Sequence, residues 1–483
     1  MKSRLACLTI FLAAGFILEA QPQIPHAQWW ISHTIGDLMP FWHQPAAWGN
    51  PWGDFATTRC DDGTLFDRAK PCPEIGSHSW LRTEWTKQHL VALSRQTYAY
   101  GVLFHITGDP TFMDLMRAGV SYLRSEVVDR ENGGMKQVKD TATGKWDANH
   151  RLRDPQQLAY GLLGMSFYYY LTRDDTVLED VIAVKRYIWK NYYNEKLDAL
   201  QWTLDPPSPA QPAESRRLTA QLDQMNAYMV MMTPLLPAEE QEQWKSDLMR
   251  LTRIMKSQFY VEKDNLFFLR ADSPAYLDIE KTGTDFGHSI KALWMMRMAG
   301  LMTGDQDLVL WAEEKGRGIL DRAYQEDCGC WASGVLAGGA LDLNKSWWIY
   351  AELDQFAASV ALSDPNFARY LPRTYDYWLN RFVDKTYGEV WTTVDGRTHL
   401  PLKNNPKQWP WKNGYHSLEH ALVSYITTLQ QYGEPVTLYY NFTKSPAPET
   451  VRPYYYSGSI ESIGRSTDWR GGEIQKVVFR DVR

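Results

Sequence analysis

The chain has 483 residues, 44% of them hydrophobic and 13% aromatic, enough to bury a large core; length alone would suggest two or three domains. Its formal net charge of −6 argues against a nucleic-acid partner, which would want a basic face. No Gly/Ser linker or charge run divides it, and the Pro-rich stretch DPPSPAQPAES, Asp205 to Ser215, reads as a surface loop.

The first twenty residues, MKSRLACLTIFLAAGFILEA, combine Lys2 and Arg4 with an apolar run from Leu5 to Leu18 and a small residue, Ala20, where a signal peptidase could cut. Residues 1–20 are therefore predicted to be a secretory signal peptide, and the mature protein is expected to be secreted or periplasmic. The run is shorter than the roughly twenty apolar residues a membrane span needs, and no later segment approaches that length. No membrane span is expected. Loss of Lys2, Arg4 and Glu19 makes the remaining chain one charge more negative. Cys60 and Cys72 form a local pair suited to a disulfide in an oxidising compartment. Cys328 and Cys330, in CGC, would close a tight and strained ring, so that pair is expected to stay unbonded. Nothing brings the two pairs together as four zinc ligands, and no metal is expected.

Onward from residue 90 a unit recurs: an apolar helix, a short turn, then a more polar helix. The turns centre near Gly108, Asp174, Pro237, Gly304, Asp364 and Gly433, roughly 60 to 70 residues apart. A helix apolar all round is buried and an amphipathic one faces solvent, so the pairs stack best as an inner ring inside an outer ring. The predicted fold is all-α, an (α/α)6 barrel over residues 21–440. Short strand-and-turn stretches such as NLFFLRAD and GEVWTTVDG should cover one mouth. The sixth unit runs into extended sequence, so residues 441–483 are expected to form a short C-terminal β-rich extension.

Inner helices that point the same way bring their first turns to one mouth. Read there, the six units offer Arg95, Gln157, Asn226, His288, Glu352 and His416, at nearly constant spacing on otherwise apolar helices. Trp347, Trp348, Trp409 and Trp411 are expected at the rim. Aromatic faces pack on the C–H faces of pyranose rings while polar groups fix hydroxyls, so a mono- or oligosaccharide is the expected ligand. His105, inside the apolar run YGVLFHITGD, reads as a core histidine with its hydrogen bonds satisfied.

Six segments in this order, DGTLFD, SRQTYAYGVLFHITGD, DFGHSIKALWMM, WWIYAE, GEVWTTVDGRTHLPL and WKNGYH, make the chain resemble the N-acylglucosamine 2-epimerase family from about Trp42 to Tyr432. That family also holds cellobiose 2-epimerases and mannose or sulfoquinovose aldose–ketose isomerases. The resemblance implies an (α/α)6 barrel, a catalytic set of His288 and His416 with Glu352, and Arg95 on the substrate. Gln157, Asn226, Trp347, Trp348 and Trp411 would complete the binding site. It implies no metal or nucleotide cofactor: a histidine takes the C2 proton of the ring-opened sugar, giving a cis-enediolate that is reprotonated at C2 or at C1. His416, with no cation at its i+3 position, is expected to be the base and His288 the partner acid.

Two positions depart from the family pattern. Lys291 stands three residues after His288 where a glutamate is usual, and Asn226 replaces a histidine. With Arg95, Lys291 would make a positive patch suited to an acidic sugar, unless it turns away or pairs with Glu352 or Asp285. Two other functions fit the same scaffold. A secreted glycoside hydrolase or polysaccharide lyase would use Glu352 with Asp285, Asp154 or Glu419, and a sugar-binding protein would need no chemistry at all. A monomer or homodimer is expected.

Overall fold

The computed structural model describes residues 23–76, 78–209, 211–467 and 473–483. The signal-peptide reading of residues 1–20 lies outside the described residues. Among the described residues no helix is long and apolar enough to cross a membrane.

Six inner helices form a closed ring. They are Leu90–Thr107, Pro155–Thr172, Leu218–Gln224 with its continuation to Met232, Phe286–Thr303, Trp347–Val360 and Gly414–Gln431. Each packs on the next, and the sixth packs on the first. Nearly every residue of these helices is buried, as their unbroken apolar sequence requires. The third contains a π-helical turn, Met225–Met229, which rotates all that follows relative to the first turn.

The outer layer consists of the amphipathic helices Pro110–Tyr122, Asp175–Tyr192, Ala238–Gln258, Gln306–Ala323 and Leu371–Tyr377. Aspartates start three of them: Asp109, Asp174 and Asp305 each accept a backbone N–H of the first turn. Sequence reasoning gave the sixth inner helix no outer partner. The structure supplies one from the other end of the chain, where Ala27–His33 packs against Gly414–Gln431 and closes the outer ring.

After the sixth helix come three antiparallel strands, ordered Val436–Tyr440, Glu473–Arg480, Ser459–Thr467. Between the first strand and the other two, Tyr454, Tyr455 and Tyr456 are buried. They hydrogen-bond to Glu419, to the backbone of Asn226 and to Ser359, so this segment is part of the barrel core.

Both local cysteine pairs are bonded, Cys60 to Cys72 and Cys328 to Cys330, with Cα atoms 6.1 and 5.3 Å apart. The second bond corrects the expectation of free thiols. Gly329 between the two cysteines has φ +61°, and this left-handed residue folds the chain back at the hairpin Tyr324–Gln325/Cys330–Trp331 so that the sulfurs meet.

Candidate active site

One mouth of the inner ring opens into a cavity of about 530 Å³. Arg95, His288, Lys291, Trp347, Trp348, Trp411 and His416 line it; of the six ring positions only Arg95, His288 and His416 do so. Gln157 and Asn226 do not. Gln157 donates to Asp154 Oδ2 at 2.8 Å, and Asn226 donates to the Tyr415 hydroxyl at 2.9 Å. Their neighbours face the cavity instead: Gln156, and Asp223 one turn before Asn226. Trp409 also lies off the site, edge-on to Trp80 and packed on the Cys60 cluster.

His288 sits in the first turn of its helix, which Asp285 caps. One oxygen of Asp285 accepts the His288 backbone N–H at 2.6 Å and the other meets His288 Nδ1 at 2.7 Å. The carboxylate thereby assigns the ring proton to Nδ1 and leaves Nε2 as the free nitrogen. Burial pushes Asp285 upward, but the imidazole and backbone N–H of His288 and the charge of Lys291 outweigh it and hold the carboxyl below its ordinary value.

His416 occupies the corresponding place on the sixth helix, behind the N-cap Asn413. Its side chain is 5% exposed against 17% for His288. Nδ1 lies 3.3 Å from Glu352 Oε1, an ion-pair contact without hydrogen-bond alignment. Burial first, then the cations Lys291, Arg95 and Lys412 and the His288 ring, drive the His416 imidazolium well below its ordinary value. The ring is neutral at physiological pH. Trp348 packs against both histidines, with ring centroids 4.7 Å from His288 and 5.9 Å from His416.

Glu352 is fully buried and does not touch the cavity. Lys291 Nζ lies 2.9 Å from its Oε1, so of the placements weighed for Lys291 the pairing with Glu352 is the one adopted. Burial opposes the Lys291 charge, but Glu352, Tyr160 and Asp223 together push its value upward; on the other side of the pair burial pushes the Glu352 carboxyl upward against the charge of Lys291. Lys291 therefore adds no free positive charge to the site. Its charge bears on His416, for which the sequence shows no cation at the i+3 position.

Glu352, His416 and Glu419 bring ligand-type atoms within 4.8 Å of one another, a spacing compatible with a metal set. The Lys291 ammonium already supplies the positive charge that a cation would bring. Glu419 accepts the Tyr454 hydroxyl at 2.6 Å, and burial together with the charge of Glu352 pushes its carboxyl up to about 8. None of the three carboxylates proposed as a hydrolytic partner for Glu352 faces the cavity: Asp285 holds His288, Asp154 caps a helix and Glu419 lies beneath Glu352.

Arg95 is 4% exposed; its guanidinium donates to the Trp411 carbonyl at 2.9 Å and lies 3.9 Å from the Tyr160 ring centroid. The other wall carries residues that sequence reasoning missed: Tyr160, Trp202, Arg217, Asp223 and Arg270. Asp223 accepts from Gln156 at 2.8 Å and from Tyr160 at 3.0 Å. Tyr160 and Asp223 could have been found as polar groups on apolar helices one turn from the positions chosen. Trp202, Arg217 and Arg270 lie in connections that carry no period.

Residues 82–419 match the family described as N-acylglucosamine 2-epimerase (GlcNAc 2-epimerase). The chain belongs to this family. It is accordingly an enzyme of a sugar epimerase and isomerase family. A cellobiose 2-epimerase of Ruminococcus albus is 22% identical over 342 residues, covering 67% of this chain and 84% of the relative. The solved cellobiose 2-epimerase of Bacillus thermoamylovorans B4167 superposes with a TM-score of 0.67 at 16% identity, covering 83% of this chain and 98% of that one. A D-mannose isomerase structure gives 0.65 at 16% identity, covering 83% and 97%. These likenesses establish the (α/α)6 barrel. Within the family, His288 and His416 are the two cavity histidines of this chain, each with Nδ1 against a carboxylate.

Proposed function

We propose that the protein interconverts reducing sugars at C2, as a carbohydrate 2-epimerase or aldose–ketose isomerase working through a cis-enediolate. The observation that carries this reading is the matched pair of histidines, both packed on Trp348, each backed at Nδ1 by a carboxylate and facing one cavity. Neutral His416 removes the C2 proton of the open-chain aldose. The C–H electrons form the C1–C2 double bond and the carbonyl electrons move to O1. Arg95 stabilises the oxygen charge that develops. Glu352 stabilises the imidazolium formed on His416, and Lys291 opposes the burial that pushes the Glu352 carboxyl upward.

His288 acts as the acid in its imidazolium form, with Nδ1–H held by Asp285 and Nε2–H facing the sugar. Delivery of the Nε2 proton to the opposite face of C2, as the O1 electrons return to form the C1 carbonyl, yields the epimer; delivery to C1, with the O2 hydroxyl proton passing to O1 as the C2 carbonyl forms, yields the ketose. In the reverse direction the two rings exchange roles. Glu352 on this reading touches no substrate and works through His416. The first twenty residues and the two disulfides support a location outside the cytoplasm.

The test is incubation of glucose, mannose and cellobiose with enzyme in D2O, followed by NMR. Deuterium at C2 of recovered or epimerised sugar, or at C1 of a ketose, is the expected result. His416→Ala and His288→Ala should each lower incorporation by about 10²-fold to 10⁴-fold with the fold intact. Normal incorporation in the His416 variant would assign the base elsewhere.

A further inference from the structure

Four permanently charged side chains reach the cavity wall: Arg95, Arg217, Arg270 and Lys291. Two have a carboxylate partner. Lys291 lies 2.9 Å from Glu352, and Arg270 lies 3.0 Å from Asp272. Among the described residues neither Arg95 nor Arg217 forms an ion pair. Arg95 is engaged by the Trp411 carbonyl and the Tyr160 face.

Arg217 is different. Its guanidinium carbon lies 4.3 Å from the Trp202 ring centroid; its Nε, like that of Arg95, is buried without a partner, but among the described residues the Arg217 guanidinium, unlike that of Arg95, donates no hydrogen bond. The Arg217 backbone pairs antiparallel with that of Arg270, which brings a second guanidinium to the same wall. Among the described residues Asp223 is the one acid lining the cavity, and its oxygens accept from Gln156 and Tyr160. The wall before the third inner helix thus presents a guanidinium packed on an indole, with no carboxylate partner among the described residues, beside another arginine. A planar fork in this setting fits an oxyanion through two parallel charge-assisted hydrogen bonds.

We propose that Arg217, backed by Trp202 and flanked by Arg270, forms a subsite for an anionic substituent of the sugar, a carboxylate or a sulfate ester. The substituent sits on the wall away from the reacting C1–C2 end. This rests on the reading that the cavity holds a sugar, and it places the positive charge that selects the ligand on Arg217 rather than on Lys291.

The experiment measures binding and chemistry separately. Equilibrium dissociation constants for glucose, glucuronate and glucose 6-sulfate are obtained by calorimetry for the wild type, Arg217→Gln and Arg217→Lys, at low and high salt. C2 deuteration of the same sugars is followed in parallel. The expected result is at least tenfold tighter binding of one or both anionic sugars than of glucose. Added salt should weaken only that binding, the preference should disappear in Arg217→Gln, and Arg217→Lys should keep part of it. Glucuronate and the sulfate ester report separately which oxyanion is accepted. Equal binding of all three sugars by the wild type, or an unchanged preference in Arg217→Gln, overturns the subsite. Absence of deuteration in every sugar, with Arg217-dependent binding intact, would overturn the proposed chemistry and leave the subsite standing.

Discussion

His416 is the residue on which the electrostatics converge. Its protonated form is disfavoured by burial and then by Lys291, so the ring stays neutral as pH falls through the ordinary histidine range and remains a competent base there. Replacing Lys291 by Met removes the cation that, after burial, does most to lower the His416 value, and so raises that value. The acid limb of the pH profile for C2 exchange should therefore move to higher pH, and an unmoved limb would show that His416 protonation does not set it. Asp285 supports a second prediction, because it both caps a helix and fixes a tautomer. Asparagine caps about as well as aspartate, so Asp285→Asn should leave the thermal midpoint nearly unchanged. Its amide no longer favours a proton on His288 Nδ1, and exchange should fall by about 10²-fold or more. Equal losses of stability and rate would mean that Asp285 is only a cap.

At the scale of elements, helix starts placed the site. Arg95, His288 and His416 were legible because a polar side chain on a helix apolar all round has few reasons to be there except a cavity. Gln157 and Asn226 occupied equivalent sequence intervals but not equivalent directions. One is drawn to Asp154 within its own first turn. The other lies in the π-helical turn, where the rotation hands the cavity to Asp223. Trp202, Arg217 and Arg270 were invisible because loops follow no period, and the Cys328–Cys330 bond because its closure depends on one left-handed glycine. The crossing of the fourth and fifth inner helices offers a third prediction. A Cβ on Gly287 would stand 2.5 Å from the Trp348 ring and 2.8 Å from Ile349. Gly287→Ala should cost roughly 1–3 kcal/mol of stability. It should also weaken sugar binding about tenfold or more by displacing the indole that packs on both histidines. Unchanged affinity, measured by calorimetry, would show that Trp348 is not a sugar platform.

For the whole molecule, the repeat count was legible in the sequence, since each unit signals its own burial. The closure of the outer ring was not, because the contact that makes it joins opposite ends of the chain. Trp30 of the first helix is fully buried, its ring 5.1 Å from His420 and 4.7 Å from Tyr375. Ile24 and His26 reach Tyr432 and Glu434 just beyond the sixth inner helix. The segment synthesised early therefore has no surface to dock on until the sixth inner helix is made, and its indole remains uncovered while the ribosome completes nearly the whole barrel. Contacts so distant in sequence carry a loop-closure cost before they are rewarded, which slows the step that depends on them. Docking of residues 23–42 should accordingly be the last event of refolding. Pulse-labelled hydrogen exchange should find the amides of Ala27–His33 protected after those of Leu90–Thr107. A chain starting at Pro45 should hold five-sixths of its outer wall and leave His420 open to solvent, a state that a chaperone would recognise and a synthetic peptide of residues 23–44 would cure.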